Sequence, residues 1–279
     1  MSLRQECGVQ ENSLFLEVDR VRIAYSRKGQ GRPVVCLHAI GHGSRDFESF
    51  TNLTHNHFEI ISLDWPNHGG SGDDHSSPSA IRYTELLVKF LDRLNIKNPI
   101  ILGNSVSGAV AMLYAQQKPV SALVLCDSAG LVPINAFVKG ICKVFAAFFN
   151  AGAQGKSWFG RAYRLYYELI VLPSRSAKPQ RERIIASGYE LAATLRDAWI
   201  SFGQSSADLR AIATGLDVPI LCAWASNDRV IPLWMCKPTI RRMRQIQLIQ
   251  FDAGHSVFLE QPQAFAKHFL EFTDQLELT

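Results

Sequence analysis

Serine, histidine and aspartate together can open an acyl bond, and this chain places one serine where that chemistry needs it. Gly103-Asn104-Ser105-Val106-Ser107-Gly108 follows the apolar run Pro99–Leu102 and precedes a helical stretch from Val106 to Gln117. A strand that turns sharply into a helix holds the residue at its apex exposed and in a strained backbone conformation, as a nucleophile requires. Small residues two positions to either side keep strand and helix from clashing, and Gly103 and Ser107 fill those places, with Ser107 standing where glycine is commoner. Gly108 lets the helix pack closely. Ser107 is the alternative apex, but it lies too far into the helix and lacks a leading glycine. A serine hydroxyl is a poor nucleophile until a histidine takes its proton, and a carboxylate must orient that histidine.

The elements that would position these groups alternate in type. Ser13–Val18 and Arg22–Ser26 read as an opening pair of strands, and Pro33–Leu37 and Phe58–Leu63 as buried ones. Pro78–Leu94 has amphipathic helical spacing. Ala122–Cys126, Val218–Trp224 and Gln245–Phe251 are further strands, with helices near Trp234–Met243 and over Val257–Leu276. Strand and helix in alternation predict a mostly parallel, eight-stranded sheet with helices on both faces. The alternation stops between about Leu131 and Ser205, where the spacing is helical and aromatic: Phe137, Phe145, Phe148, Phe149, Trp158, Phe159, Tyr163, Tyr166 and Tyr167. The expected organisation is an α/β core of 1–130 and 206–279, interrupted by a helical cap of 131–205.

At 279 residues, 47% hydrophobic and 19% charged, the chain has the composition of a soluble globular protein. The net charge of +4 is dispersed; the densest basic stretch, Arg241, Arg242 and Arg244, reads as a solvated helix end, so no nucleic-acid partner is expected. The six cysteines follow no CxxC or metal spacing, and Cys36, Cys126 and Cys222 lie in apolar runs. With no apolar h-region in MSLRQECGVQEN, the expected location is the cytoplasm. Val144–Phe149 is too short to span a bilayer, and no membrane partner is expected. His38 and His42 lack a third ligand at suitable spacing, so neither a metal nor a cofactor is expected. His55, His57, His75 and His268 read as surface histidines.

With these residues in hand, the chain resembles the α/β-hydrolase superfamily over nearly its whole length. The resemblance rests on His38-Ala39-Ile40-Gly41 with Phe47 downstream, Asp64-Trp65-Pro66-Asn67-His68-Gly69-Gly70-Ser71-Gly72, the Ser105 turn, the polar turn around Asp228, and Gly254-His255. In the chain order of that superfamily the serine comes first, then the acid, then the histidine. His255, after the last strand, is then the general base, and Asp228, beyond the strand before it, the acid. Asp127, at the end of another core strand, is the rival acid; Asp252 is too close to His255 in sequence for easy pairing. The oxyanion would be met by the amide of Val106 and, by position in the loop after the third strand, by that of Ile40. Ala39 stands where the superfamily usually has glycine.

Ser105 speaks against haloalkane dehalogenases and epoxide hydrolases, which use aspartate at this position. The resemblance implies a cofactor-free serine hydrolase that cleaves a carboxylic ester or related acyl bond through an acyl-enzyme, and the aromatic density of 131–205 adds the expectation of a small to medium hydrophobic substrate. Gly103-Asn104-Ser105 is also similar to the elbow of meta-cleavage-product hydrolases, which split carbon–carbon bonds, although no tryptophan follows His255 as it does there. A third reading is a small-molecule receptor on a hydrolase fold. Asn104, Ser107 and Ala39 depart from the commonest elbow, and are expected to carry specificity.

Overall fold

The computed structural model describes residues 13–276. Eight strands form one sheet: β1 (Leu14–Val18), β2 (Val21–Lys28), β3 (Arg32–Leu37), β4 (Phe58–Leu63), β5 (Ile100–Asn104), β6 (Ala122–Cys126), β7 (Ile220–Ala225) and β8 (Ile246–Phe251). Their order is β1-β2-β4-β3-β5-β6-β7-β8. β2 pairs antiparallel with both its neighbours, and every pairing from β4 to β8 is parallel. Parallel strands covered on both sides bury every residue, which is why Ala122–Cys126 and Ile220–Ala225 read as unbroken apolar runs and Ile100–Asn104 as one up to its polar last residue. The register Gly103↔Leu125 and Asn104↔Cys126 sets the end of β5 beside the end of β6.

Helix α1 (Glu48–Thr54) was not legible in the sequence; it packs on the C-terminal helix through Phe50, whose ring meets Phe269 at 5.0 Å and nearly edge-on. α2 (Ala80–Arg93) begins at Ser79, whose hydroxyl accepts the Arg82 N–H at 3.1 Å, so Pro78 stays outside the helix. It lies against α3 (Val106–Gln117), the helix that leaves the serine turn.

Between β6 and β7 the chain makes α4 (Ala136–Ala153), α5 (Phe159–Tyr166), a π-helical turn at Tyr167–Val171, α6 (Lys178–Ala186), α7 (Gly188–Phe202) and the short α8 (Arg210–Gly215). α4 starts at Asn135, whose side chain accepts the Val138 N–H at 3.0 Å. It packs along α7, where the Phe145 and Trp199 rings stack at 4.2 Å. α9 (Leu233–Ile240) follows β7. The final stretch is two helices rather than the one expected, α10 (Val257–Glu260) and α11 (Pro262–Leu276). Pro262 disfavours helical backbone at the residue before it, and Gln261 takes φ −133°, ψ 54°.

Candidate active site

Ser105 stands at the tip of β5 with φ 57° and ψ −120°, a conformation that a residue with a Cβ holds only when its surroundings enforce it. Its N–H reaches the Cys126 carbonyl at 3.0 Å, and its own carbonyl accepts from Gly108 and Ala129, each at 3.0 Å. A Cβ on Gly103 would lie 2.2 Å from the Ser107 carbonyl oxygen, and one on Gly108 would lie 2.1 Å from the Ser128 hydroxyl. Both glycines are therefore required by close approach.

Asn104 and Ser107, the unusual members of this turn, are fully buried and outside the cavity that Ser105 faces. The expectation that they carry specificity is corrected: they brace the turn. The Asn104 amide donates to the Cys126 and His255 carbonyls at 3.1 and 3.2 Å, and its oxygen accepts from the Ser256 hydroxyl at 2.9 Å. The serine turn and the His255 loop are thus joined through one side chain. Ser107 donates to the His38 carbonyl at 2.5 Å and accepts from the Trp65 indole at 2.9 Å. Of the three, only Ala39 lines the cavity.

His255 follows β8, and its Nδ1 is 2.9 Å from Asp228 Oδ2, both groups being buried. The other Asp228 oxygen accepts the N–H groups of Val230 and Ile231 at 2.7 and 2.9 Å, so the carboxylate is fixed on both sides. With Nδ1 donating to Asp228, Nε2 is the ring nitrogen left for a substrate or for Ser105. The rival Asp127 turns one oxygen to the Ala225 N–H at 2.7 Å and leaves the other without a partner. Burial, with Asp228 nearby, holds its carboxyl well above the usual range and favours the protonated form.

The loop after β3 is held from behind by two neutral imidazoles. His68 donates through Nδ1 to the Pro66 carbonyl at 2.8 Å and accepts the Gly41 N–H at 2.9 Å. His38 donates to the Ala39 carbonyl at 2.7 Å and accepts the Trp65 N–H at 3.0 Å. Burial lowers the first to about 3 and the second to about 4. Since both nitrogens of His38 are engaged, it cannot also hold a metal. Asp64 ties the same region together, accepting the Ser44 and Gly70 N–H groups at 2.6 and 2.9 Å. The Gly41 amide goes to His68 and the His42 amide to the Ala39 carbonyl. Ile40, whose amide is bound in neither way, lines the cavity with Val106, Ser105 and His255.

Two side-chain arrangements do not follow from the sequence. His42, on the cavity wall, pairs through Nδ1 with Asp46 at 2.6 Å, both buried. Glu260 spreads one carboxylate oxygen over the N–H groups of Gly254 and His255, at 2.7 and 3.1 Å, while the other accepts from the Ser174 hydroxyl. The Glu260 carbonyl accepts from the Ser176 hydroxyl at 2.8 Å. Gly254 meets the same segment: a Cβ there would lie 2.3 Å from Pro173 Cδ. One buried carboxylate therefore joins the His255 loop to the segment after the π turn.

The insert supplies the opposite wall, with Val138, Ile141 and Cys142 from α4, Tyr166 and Tyr167, and Leu195 and Trp199 from α7. Among the described lining residues there is no Asp, Glu, Lys or Arg. His55 and His268 are half-buried and His57 and His75 exposed, all outside the cavity. No group of three or more His, Cys, Asp or Glu residues suited to a metal occurs among the described residues.

The chain is 26% identical to an uncharacterised protein of Mycobacterium tuberculosis, over 94% of this chain and 81% of that one. It is 29% identical to the 2-hydroxy-6-oxo-6-(2'-aminophenyl)hexa-2,4-dienoic acid hydrolase of Metapseudomonas resinovorans over 126 residues, 42% of this chain and 43% of the relative. The fold is shared with a thermophilic esterase from Thermogutta terrifontis at a TM-score of 0.78 and 18% identity, covering 95% of this chain and 99% of the other. The sequence profile of the alpha/beta hydrolase family matches residues 34–268. With that match over most of its length, the chain, folded on an eight-stranded, mostly parallel sheet, belongs to the alpha/beta hydrolase family.

Proposed function

We propose that the protein is a serine hydrolase that cleaves a neutral carboxylic ester with an apolar acyl group. Ser105 Oγ attacks the carbonyl carbon as His255 Nε2 takes its proton. Asp228 keeps the imidazole oriented, and the amides of Val106 and Ile40 receive the oxyanion. The alcohol leaves with the proton from His255; water then attacks the acyl-enzyme, losing a proton to His255, which passes it to Ser105 Oγ as the acid departs. The small-molecule substrate is the only partner this chemistry needs. The buried free thiols at Cys36, Cys126, Cys142, Cys222 and Cys236 fit a reducing compartment such as the cytoplasm.

The observation that carries this reading is a strained serine and a carboxylate-held histidine opening into one cavity without a charged side chain. An uncharged apolar wall suits a neutral substrate, because a carboxylate placed there would lose its hydration without gaining a cation. Carbon–carbon cleavage is the second reading, favoured by the similarity to the dienoic acid hydrolase. A dienoic acid brings a carboxylate for which this wall has no arginine or lysine among the described residues.

A fluorophosphonate probe, followed by rate measurements on neutral esters of increasing acyl length and on a vinylogous diketone acid, tests both. The probe should label the wild type and not Ser105→Ala, and turnover should favour longer acyl chains. Labelling that survives Ser105→Ala would overturn the nucleophile, and faster turnover of the diketone acid would replace ester cleavage by the second reading.

A further inference from the structure

α4 is an apolar helix that the fold leaves largely uncovered. It is the one helix among the described residues long and apolar enough to cross a membrane by length and composition. Its inner face, with Cys142, Phe149 and Gly152, is buried against the rest of the insert, so it cannot be stripped out to span one. The outer face carries Phe137, Ile141, Val144 and the half-buried Phe148 at spacings of three and four, which puts them on one stripe. Phe137 is 62% exposed and Val144 69% exposed. Trp158, 52% exposed, continues the stripe, its ring 6.0 Å from that of Phe148.

Within its own segment of chain, the stripe is accompanied by charge of one sign. No Asp or Glu occurs from Ser128 to Tyr167, whereas Lys139, Lys143, Lys156, Arg161 and Arg164 fall within it. Lys139, Lys143 and Lys156 are exposed. Acidic groups from neighbouring elements are paired with arginine: Asp197 with Arg196 at 2.7 Å, Glu168 and Glu182 both with Arg164 at 3.3 and 2.9 Å, and Asp208 with Arg210 at 2.8 Å. An apolar stripe with an aromatic at each end, and lysines on the opposite side of the same helix, is the pattern of a helix that lies in a lipid interface.

We propose that α4 and Trp158 dock on the surface of an anionic lipid bilayer. This departs from the sequence expectation of no membrane partner, which weighed only whether Val144–Phe149 could span. Lying on a surface needs no spanning length. Ile141 belongs both to the stripe and to the cavity wall, so the docked face adjoins the site, and an apolar ester dissolved in the bilayer would reach Ser105 without crossing water.

Partitioning of the purified protein onto large vesicles tests this, with phosphatidylcholine alone against an equal mixture with phosphatidylglycerol, at low and high salt. The protein should sediment with the anionic vesicles at low salt, and be released by salt or by omission of phosphatidylglycerol. Lys139→Glu with Lys143→Glu should weaken partitioning by about tenfold or more. Phe137→Glu with Val144→Glu should abolish it while turnover of a water-soluble short ester stays unchanged. Ser105→Ala should partition like the wild type, since docking does not depend on the ester chemistry.

No sedimentation with anionic vesicles, or equal binding to both vesicle types, would overturn the proposal. So would partitioning that survives both pairs of substitutions. Absence of vesicle binding together with a dimer that Phe137→Glu with Val144→Glu dissociates would assign the stripe to a second copy of the chain.

Discussion

On the core side of the cavity, Asn104, Ser107, Asp64, His68 and Glu260 each hold a neighbouring loop by a few directed hydrogen bonds. On the insert side, Phe145, Phe149, Tyr166 and Trp199 hold one another by ring packing, with few polar contacts. The two constructions fail differently. Removing one partner of a buried hydrogen bond leaves the other desolvated and unpaired, at a cost of about 1–3 kcal/mol. A ring in a cluster shares its contribution with several neighbours, and such contacts contribute about 0.5–1.5 kcal/mol each beyond area burial. Position is thus fixed sharply around Ser105 and His255, and loosely along the insert's wall of the cavity.

The sharpest break in that comparison should come at Asp228. Asp228→Asn keeps the shape but reverses the polarity of the contact with His255, and kcat should fall by about 10⁴-fold with circular dichroism unchanged. A fall of less than tenfold would remove Asp228 from the role proposed for it. Gly103→Ala comes next, because its new methyl meets backbone rather than a flexible side chain. It should lose about 3 kcal/mol or more of stability in urea unfolding; wild-type stability would show that the turn tolerates a Cβ.

Acid should then act on the core side alone. His38 and His68 are held neutral in the folded protein, lowered by burial to about 4 and about 3. The unfolded chain binds their protons first, so their contribution to stability is complete above about pH 6.5 and is lost as pH falls towards those values. For His38 alone this amounts to about 3 kcal/mol. The urea midpoint should drop between pH 7 and pH 4.5, equally in the wild type and in His75→Ala, whose imidazole is exposed. A midpoint independent of pH over that range would contradict the neutral bracing of the loop.

Glu260→Leu removes the acceptor from two buried N–H groups. It should lower kcat by about tenfold while KM changes little, because it displaces His255 rather than the cavity wall. An altered KM with unchanged kcat would place its effect in the insert. The smallest change should follow Phe145→Leu, at about 1 kcal/mol or less by thermal melting, with the effect on ester hydrolysis confined to KM.

Much of the fold was legible because parallel strands buried on both faces leave continuous apolar runs, and because only glycine fits at positions 103 and 108. Asp228 and His255 could be chosen from their places after β7 and β8. The bracing was hidden, because it depends on which residues the fold brings together. Gly41 and His68 are 27 positions apart, and Asn104 lies 151 from the His255 carbonyl it contacts. His42 and Asp46 stand four apart, a visible spacing, but it marks a pair only once the chain turns through the short 3₁₀ segment Ser44–Phe47. Glu260 was visible as a residue of the last helical stretch. That its carboxylate points back over Gly254 follows from the break at Pro262, and helical periodicity carries no such information.

The bond from Glu260 to Ser174 also bears on modularity. Inserts of this kind invite exchange between relatives, and the composition of the chain suggests cutting near residues 131 and 205. A graft on those boundaries would discard Ser174, Ser176 and the Pro173 that rests on Gly254, leaving Glu260 with half its partners and the His255 loop open on one side. Residues 171–176, though they lie in the middle of the insert, belong functionally to the scaffold. A chimera that keeps them and exchanges only the flanking helices would inherit the pairing of His255 with Asp228 along with the new cavity.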